Sequence, residues 1–155
     1  MVRLVKISKP ELLPNVAIAY ENDTELFDKY HIAKMGFMDC VVATMGMIMD
    51  ASAEKDLRYY KVLYNNESVG YVVEFDNFLY SYGINIKFRK KDILIDWWQQ
   101  VKNIMGGKFI TMLYENNSRA VQFLEKNGME TMHVDKENHS IVLVYNPSLK
   151  KLKVA

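Results

Sequence analysis

Arg89-Lys90-Lys91 places three consecutive bases directly before a run, Asp92 to Met105, whose apolar residues recur at helical spacing. The free N–H groups at a helix start and the positive end of its macrodipole attract anions, and the bases add charge at the same place. The chemistry offered here is the holding of a phosphate. Asp92 is also placed to cap a helix from Ile93 to Met105, and its carboxylate would then occupy the N–H groups that a phosphate would use. The same residues therefore also fit a solvated basic turn with a self-capped helix. A second polar position is Asn117, between the strand-like FITMLY of Phe109 to Tyr114 and a run in which Ala120, Phe123 and Leu124 share one helical face. Asn117 or Ser118 would cap that helix, and Gly128 would close it. Metal chemistry has little to build on. Cys40 is the single cysteine, and His31, His133 and His139 lack ligand spacing.

These positions need a scaffold, and the periodicity supplies one. Val2 to Ser8 alternates as a first strand, and Pro10 and Pro14 bracket a loop or a single helical turn. Asn22 and Glu25 have capping-box spacing, so a helix is expected from near Asp23, carrying Leu26, Phe27, Tyr30 and His31 to Gly36. A second helix from Phe37 to about Ala51 would bury Val41, Val42, Met45, Ile48 and Met49. From Leu57 the period becomes two. Leu57 to Tyr64, Ser68 to Phe75 and Phe78 to Ile86 read as strands, with hairpin chemistry at Asn65-Asn66-Glu67 and a short turn at Asp76-Asn77. The helix to Met105 presents Ile93, Leu94, Trp97, Trp98 and Val101 to a sheet and stops at Gly106-Gly107. A last hairpin joins Glu130 to Val134 with Ser140 to Tyr145 across Asp135-Lys136-Glu137-Asn138, and the basic tail SLKKLKVA is expected at the surface.

The 155 residues suit one domain, 1–155, with 50% apolar content, and the net charge of +1 gives no overall field for nucleic acid. The N-terminal MVRLVKISKPELLP has no signal-peptide core, and no apolar run reaches bilayer length. A soluble chain in the reducing cytoplasm, without a membrane partner, is the expectation.

Asn117-Ser118-Arg119-Ala120, Phe123 and Lys126-Asn127-Gly128-Met129 resemble the second signature of the GNAT superfamily of acyl-CoA-dependent N-acetyltransferases. Asn66-Glu67-Ser68-Val69-Gly70-Tyr71 is similar to that family's hairpin between its second and third strands. The resemblance implies an α+β, GNAT-like acyl-CoA N-acyltransferase fold: a mixed, mostly antiparallel sheet of about seven strands with helices on both faces. It implies that the fourth and fifth strands splay and leave a cofactor slot between Ile84 to Ile86 and Met112 to Tyr114. Acetyl-CoA is the implied cofactor, with no metal. Its pantetheine arm would meet the backbone of Ile84, Asn85 and Ile86. Its pyrophosphate would meet Arg89, Lys90, Lys91 and the N–H groups near Ile93 and Leu94, and Asn117 would face its pantetheine or phosphate end. Two departures stand out. The family's Arg-x-x-Gly-x-Gly loop has Asp92 and Leu94 in place of both glycines, and Leu124 stands where many members carry a tyrosine that protonates the leaving thiolate.

Acetyl transfer needs a base for the amine and groups that stabilise the oxyanion and thiolate. Glu74 and Asp76 are the candidate bases; Tyr82 and Tyr114 are the candidate acids. Each also fits an ordinary strand-end charge or a packed tyrosine. Three readings follow. One is transfer from acetyl-CoA to a small-molecule or protein amine. The second is a GNAT-fold module that has given up catalysis and serves in binding or assembly, as an oligomer or with a virion partner; small GNAT-like proteins of tailed phages look similar in lacking the tyrosine. The third, nucleic-acid binding through the basic residues, has least support because the charge is balanced.

Overall fold

The computed structural model describes residues 1–23 and 36–148. The expected helix carrying Leu26, Phe27, Tyr30 and His31, and the basic tail beyond Ser148, lie outside the described residues. In chain order the elements are β1 (Val2–Ile7), α1 (Leu12–Tyr20), α2 (Phe37–Ser52), β2 (Arg58–Tyr64), β3 (Glu67–Phe75), β4 (Phe78–Ile84), α3 (Lys91–Met105), β5 (Phe109–Tyr114), α4 (Ser118–Lys126), β6 (Met129–Asp135) and β7 (Ser140–Tyr145). Short 3-10 turns at Lys9–Glu11 and Ile86–Phe88 lead into α1 and out of β4.

The stretch between Pro10 and Pro14, expected as a loop or a single helical turn, holds the end of a 3-10 turn and the start of the nine-residue α1. Glu11 accepts hydrogen bonds from Ser8 N–H and Ser8 Oγ, which fixes the chain's entry, and Pro14 falls in the first helical turn, where its missing N–H breaks no helix bond. Leu12, Val16, Ala19 and Tyr20 then line up on one buried face. In α2 the buried line is Cys40, Val41, Thr44 and Ile48, whereas Val42, expected inside, is 65% exposed. The first hairpin turn is tighter than expected, and the second falls at Asp76-Asn77 as expected. Asn65 and Asn66 both have positive φ, as do Asp76 and Asn77, the two-residue geometry whose twist matches that of paired strands. Glu67 therefore already belongs to β3.

The seven strands form one sheet in the order β1-β2-β3-β4-β5-β7-β6, with every neighbouring pair antiparallel except β4 and β5. Successive side chains of a strand point to opposite faces. Val72 accordingly joins a core with Ile93, Trp97 and Trp98 of α3 and Val121 and Leu124 of α4, while Tyr71 and Val73 join a second core with α1 and α2. Removing each such side chain from water contributes about 1.5–3 kcal/mol. Trp98 Nε1 donates to Asn127 O at 3.0 Å, tying α3 to the end of α4. Val2 N donates to Asp96 Oδ2 at 2.8 Å, tying α3 to the edge strand β1. No described helix is long and apolar enough to cross a membrane.

Candidate functional site

The parallel pair β4–β5 holds for only two positions, Phe78 with Ile110 and Leu79 with Thr111. Beyond them β4 stays on β3 as far as Ile84, and β5 stays on β7 as far as Tyr114. The two strands follow different neighbours through a twisting sheet, so a wedge opens between them. Thr111 Oγ1 donates to Leu79 O at 2.8 Å at the last point of closure. From Tyr80 to Ile84 one edge of β4 has no strand partner among the described residues, and an extended ligand can use such an edge as a strand would.

A cavity lies on each side of the wedge, and Tyr82, Gly83, Arg89 and Asn117 line both. The cavity on the α3–α4 side measures about 230 Å³ and is walled by Leu94 and Trp97 of α3 and by Arg119, Ala120, Phe123 and Leu124 of α4. The cavity on the α1–α2 side measures about 240 Å³ and includes Tyr20, Thr44, Met47, Tyr80, Ser81, Met112 and Tyr114. A chain of hydroxyls runs beneath it: Thr44 Oγ1 donates to Tyr20 Oη at 3.4 Å, Tyr20 Oη lies 3.0 Å from Tyr71 Oη, and Tyr71 Oη lies 2.8 Å from Ser81 Oγ. The wedge is therefore reached from both faces of the sheet, which suits a reaction whose two substrates arrive from opposite sides.

Of the candidate acids, Tyr82 stands at the junction of the two cavities, its ring 5.6 Å from that of Trp97. Burial pushes its phenol up to about 12, partly offset by Thr111, whose Oγ1 lies 3.4 Å away. Tyr114 is 39% exposed at the rim of the α1–α2 cavity. The candidate base Glu74 lines neither cavity. It is 3% exposed and held on both oxygens, by Arg58 Nη2 at 2.6 Å and Arg58 Nε at 2.7 Å, with Tyr60 Oη donating at 2.9 Å. That partnership raises the Arg58 pKa. A carboxylate so engaged braces β2 against β3 and is not placed to take a proton from a substrate. Asp76, the other candidate base, is a positive-φ turn residue.

The basic turn is also arranged differently from expectation. β4 ends at Ile84, which lines the α3–α4 cavity, and Ile86 lies in the 3-10 turn. Asn85, 7% exposed, donates through Nδ2 to Ile18 O at 2.8 Å and accepts from Lys87 N at 3.0 Å, so its side chain braces α1. Arg89 turns inward: Nε donates to Ile84 O at 2.8 Å and Nη2 pairs with the buried Asp23 at 2.5 Å. Lys90 and Lys91 are exposed at the start of α3, so the three bases do not act as one cluster. Asp92 is not the cap. The helix begins at Lys91, its N-cap is Lys90, and no described side chain caps it. The N–H groups of Lys91, Asp92 and Ile93 thus have no intrahelical acceptor, whereas Leu94 N already donates to Lys90 O at 2.8 Å. The Ile93 side chain is core; the Leu94 side chain faces the cavity.

In the α4 region, Asn117 occupies the N-cap position as expected, but its side chain makes no capping bond, and it lines both cavities. Leu124 is 1% exposed and closes the inner wall. Two lining residues carry no sequence signal of their own. Arg119 stands among polar, outward-facing neighbours in the sequence, yet it lies at the cavity mouth, and Trp97 reads as a sheet-packing residue alone. Both lie one helical turn from a residue whose type is informative, Phe123 and Leu94 respectively, and a 3–4 spacing is the available signal.

No protein-family model matches the sequence, and no curated protein does. Among solved structures, the chain is similar to the PaiA N-acetyltransferase of Thermoplasma acidophilum in complex with coenzyme A, at TM-score 0.69 and 12% identity over 94% of this chain and 99% of that one. It is similar to an acetyltransferase from Thermus thermophilus, at TM-score 0.70 and 13% identity over 94% and 97% of the two chains. The aminoglycoside acetyltransferase AAC(6')-Ib in complex with coenzyme A gives TM-score 0.67 at 14% identity over the whole of both chains. The strand order, the single parallel junction that opens after two pairs, and these likenesses agree: the chain has the GNAT acyl-CoA N-acyltransferase fold.

Proposed function

We propose that the chain binds acetyl-CoA on the α3–α4 side of the wedge and transfers its acetyl group to an amine entering from the α1–α2 side. The observation that carries this reading is the opening of β4 from β5, with a cavity on each face meeting at Tyr82 and Gly83. The crystallised neighbours that hold coenzyme A support it. Three features fit the cofactor: a β4 edge without a strand partner among the described residues for the amides of its arm, an uncapped α3 start flanked by Lys90 and Lys91 for its phosphates, and an apolar wall of Leu94, Ala120 and Phe123.

Acetyl-CoA supplies an activated thioester; the protein's share is positioning and charge stabilisation. The wedge fixes the arm between strands, and bringing two reactants together in this way can contribute roughly 7–11 kcal/mol. Leu124 offers no proton. Tyr82 is the hydroxyl-bearing residue that lines both cavities, and it stays protonated throughout the neutral range. The acceptor side offers hydroxyl and aromatic groups from Tyr20, Thr44, Ser81 and Tyr80.

Saturating acetyl-CoA should stabilise the purified protein. At a hundredfold excess over Kd the gain is about 2.7 kcal/mol, a rise in Tm of roughly 5–10 °C for a chain of this size. Thiol release with a panel of amines then tests transfer in the wild type and in Leu124→Tyr. Stabilisation together with turnover supports the reading. Stabilisation with activity only in Leu124→Tyr favours the alternative, a cofactor-holding module without chemistry. No stabilisation overturns the reading.

A further inference from the structure

The core beneath α1 and α2 draws on β1, β2, β3 and β4, but among the described residues no member of β5, β6 or β7 joins it. On β5 the alternate residues Phe109, Thr111 and Leu113 are buried, Phe109 and Leu113 in the α3–α4 core, which turns Ile110, Met112 and Tyr114 to the opposite face. Val144 and Val142 of β7 stand directly across from Ile110 and Met112 and share that face. Ile110, Met112, Val142 and Val144 therefore form an apolar strip that joins neither core of described residues, with Met112 52% exposed. The strip runs into the α1–α2 cavity, which is lined by Met112 and Tyr114, by Tyr80 of β4 and by Met47 of α2, itself 46% exposed. Single apolar side chains at a surface need no explanation, but a strip continuous with a cavity marks a binding surface. Among the described residues that line this cavity there is no carboxylate, and the charged one is a cation, Arg89, already paired with Asp23.

We infer that the acceptor is a small monoamine with an aromatic or alkyl body, which lies on this strip with its amino group in the wedge beside Tyr82 and Gly83. The assignment rests on the transfer reading above and names the acceptor class that reading leaves open. A second positive charge on the acceptor would be stranded among methionine, tyrosine and valine with no carboxylate from the described lining, a desolvation cost that a neutral body avoids. Methionine thioethers and tyrosine rings instead offer an adaptable apolar contact. Apolar surroundings also disfavour an ammonium, and so favour the neutral amine that attacks. Its nitrogen bonds to the acetyl carbon, the carbon–sulfur bond breaks, and the proton lost by nitrogen ends on the sulfur of free CoA. A cavity of about 240 Å³ is small for a binding site and fits a body of one ring or a short alkyl chain.

The test compares 4-phenylbutylamine, butylamine, spermidine and a phenylalanyl-dialanine amide as acceptors in a thiol-release assay, and titrates each calorimetrically into protein saturated with CoA. Burial of the phenyl ring should give 4-phenylbutylamine a roughly 10- to 100-fold advantage over butylamine in kcat/KM and in affinity, with spermidine, of similar length, the poorest. Met112→Glu, near-isosteric at a half-exposed position, should cut that advantage by about tenfold and raise spermidine relative to 4-phenylbutylamine. Val142→Thr, isosteric and outside the cavity, should cut it by a smaller factor, and it decides if Met112→Glu does not fold. Equal values for the two monoamines overturn the inference, as does a preference for spermidine or for the peptide. A phenyl advantage that neither variant changes overturns the placement on the strip. A dimer in sedimentation that Met112→Glu dissociates, with no dependence on the amine body, gives the strip to a second copy and overturns the inference. Where CoA binds but no amine turns over, the titrations decide: the same order of affinities, sensitive to Met112→Glu, supports the strip as the amine site, and no amine binding overturns it. Failure of acetyl-CoA to stabilise the wild type is a different result, which removes the cofactor reading and this assignment with it.

Discussion

Replacing Tyr82 by phenylalanine separates two ways in which a hydroxyl can help a departing thiolate. Burial places the phenol at about 12, and an ordinary thiol titrates near ~8.5. The difference, 12 − 8.5, is about 3.5 units, so full transfer of the proton to sulfur is uphill by about 5 kcal/mol. A negative sulfur nearby would hold the phenolic proton more tightly still. The hydroxyl is then a hydrogen-bond donor to developing charge and not a general acid, and such a bond contributes about 1.5–3 kcal/mol. Tyr82→Phe should therefore lower kcat for acetyl transfer by roughly 10- to 100-fold, with little change in KM for acetyl-CoA, in a continuous thiol-release assay run from pH ~6 to ~9.5. The kcat profile should have the same shape in both proteins, because no Tyr82 titration falls in that range. A loss of about 10³-fold or more would refute the reasoning. So would an alkaline limb near pH ~8 that the variant abolishes, since either outcome requires Tyr82 to surrender its proton at neutral pH.

Glu74→Gln should leave acetyl transfer within about twofold of wild type, because the carboxylate lies among Arg58 and Tyr60 outside both cavities; a hundredfold drop without loss of Tm would restore it as the base. Gly70→Ala should be severely destabilising, by about 3 kcal/mol or more, since its Cβ would stand 2.0 Å from Gly83 O, a backbone atom of β4 beside the wedge. Gly46→Ala, with nothing within 4 Å in the middle of α2, should instead raise stability by about 0.5–1 kcal/mol; urea midpoints check both. Burial raises the phenols of Tyr60 and Tyr82 to about 12. The unfolded chain gives up those protons near ~10, so between these values it binds fewer protons than the folded state, and stability falls as pH rises from about 10 to 12. The fall should be smaller in Tyr82→Phe, and an equal fall in both proteins would contradict the buried position.

Apart from α1, the order of the described strands and helices was legible from residue period, because period two and period 3.6 are local properties that a window of sequence carries. Asn65-Asn66 and Asp76-Asn77 announced their hairpins because few side chains tolerate positive φ, and Asn117 to Gly128 announced the strand-to-helix unit of the fold. What the sequence could not fix was direction. Arg89 reads as one of three bases, but tertiary packing turns it inward to Asp23, far off in sequence, while Lys90 and Lys91 remain in solvent. Asp92 reads as a cap, but the helix starts two residues earlier than expected, at Lys91, and no described side chain caps its first N–H groups. Glu74 reads as a free strand-end carboxylate until β2 sets Arg58 opposite it. Pro14 reads as a break until the first turn of α1 absorbs it. Each of these depends on which groups lie across a strand pair or a helix contact, and long-range pairing, unlike period or turn chemistry, is written in no single stretch of the chain. The wedge is the clearest case: Leu79 and Thr111 are ordinary strand residues, and only the divergent partners of β4 and β5 make the next residues a site.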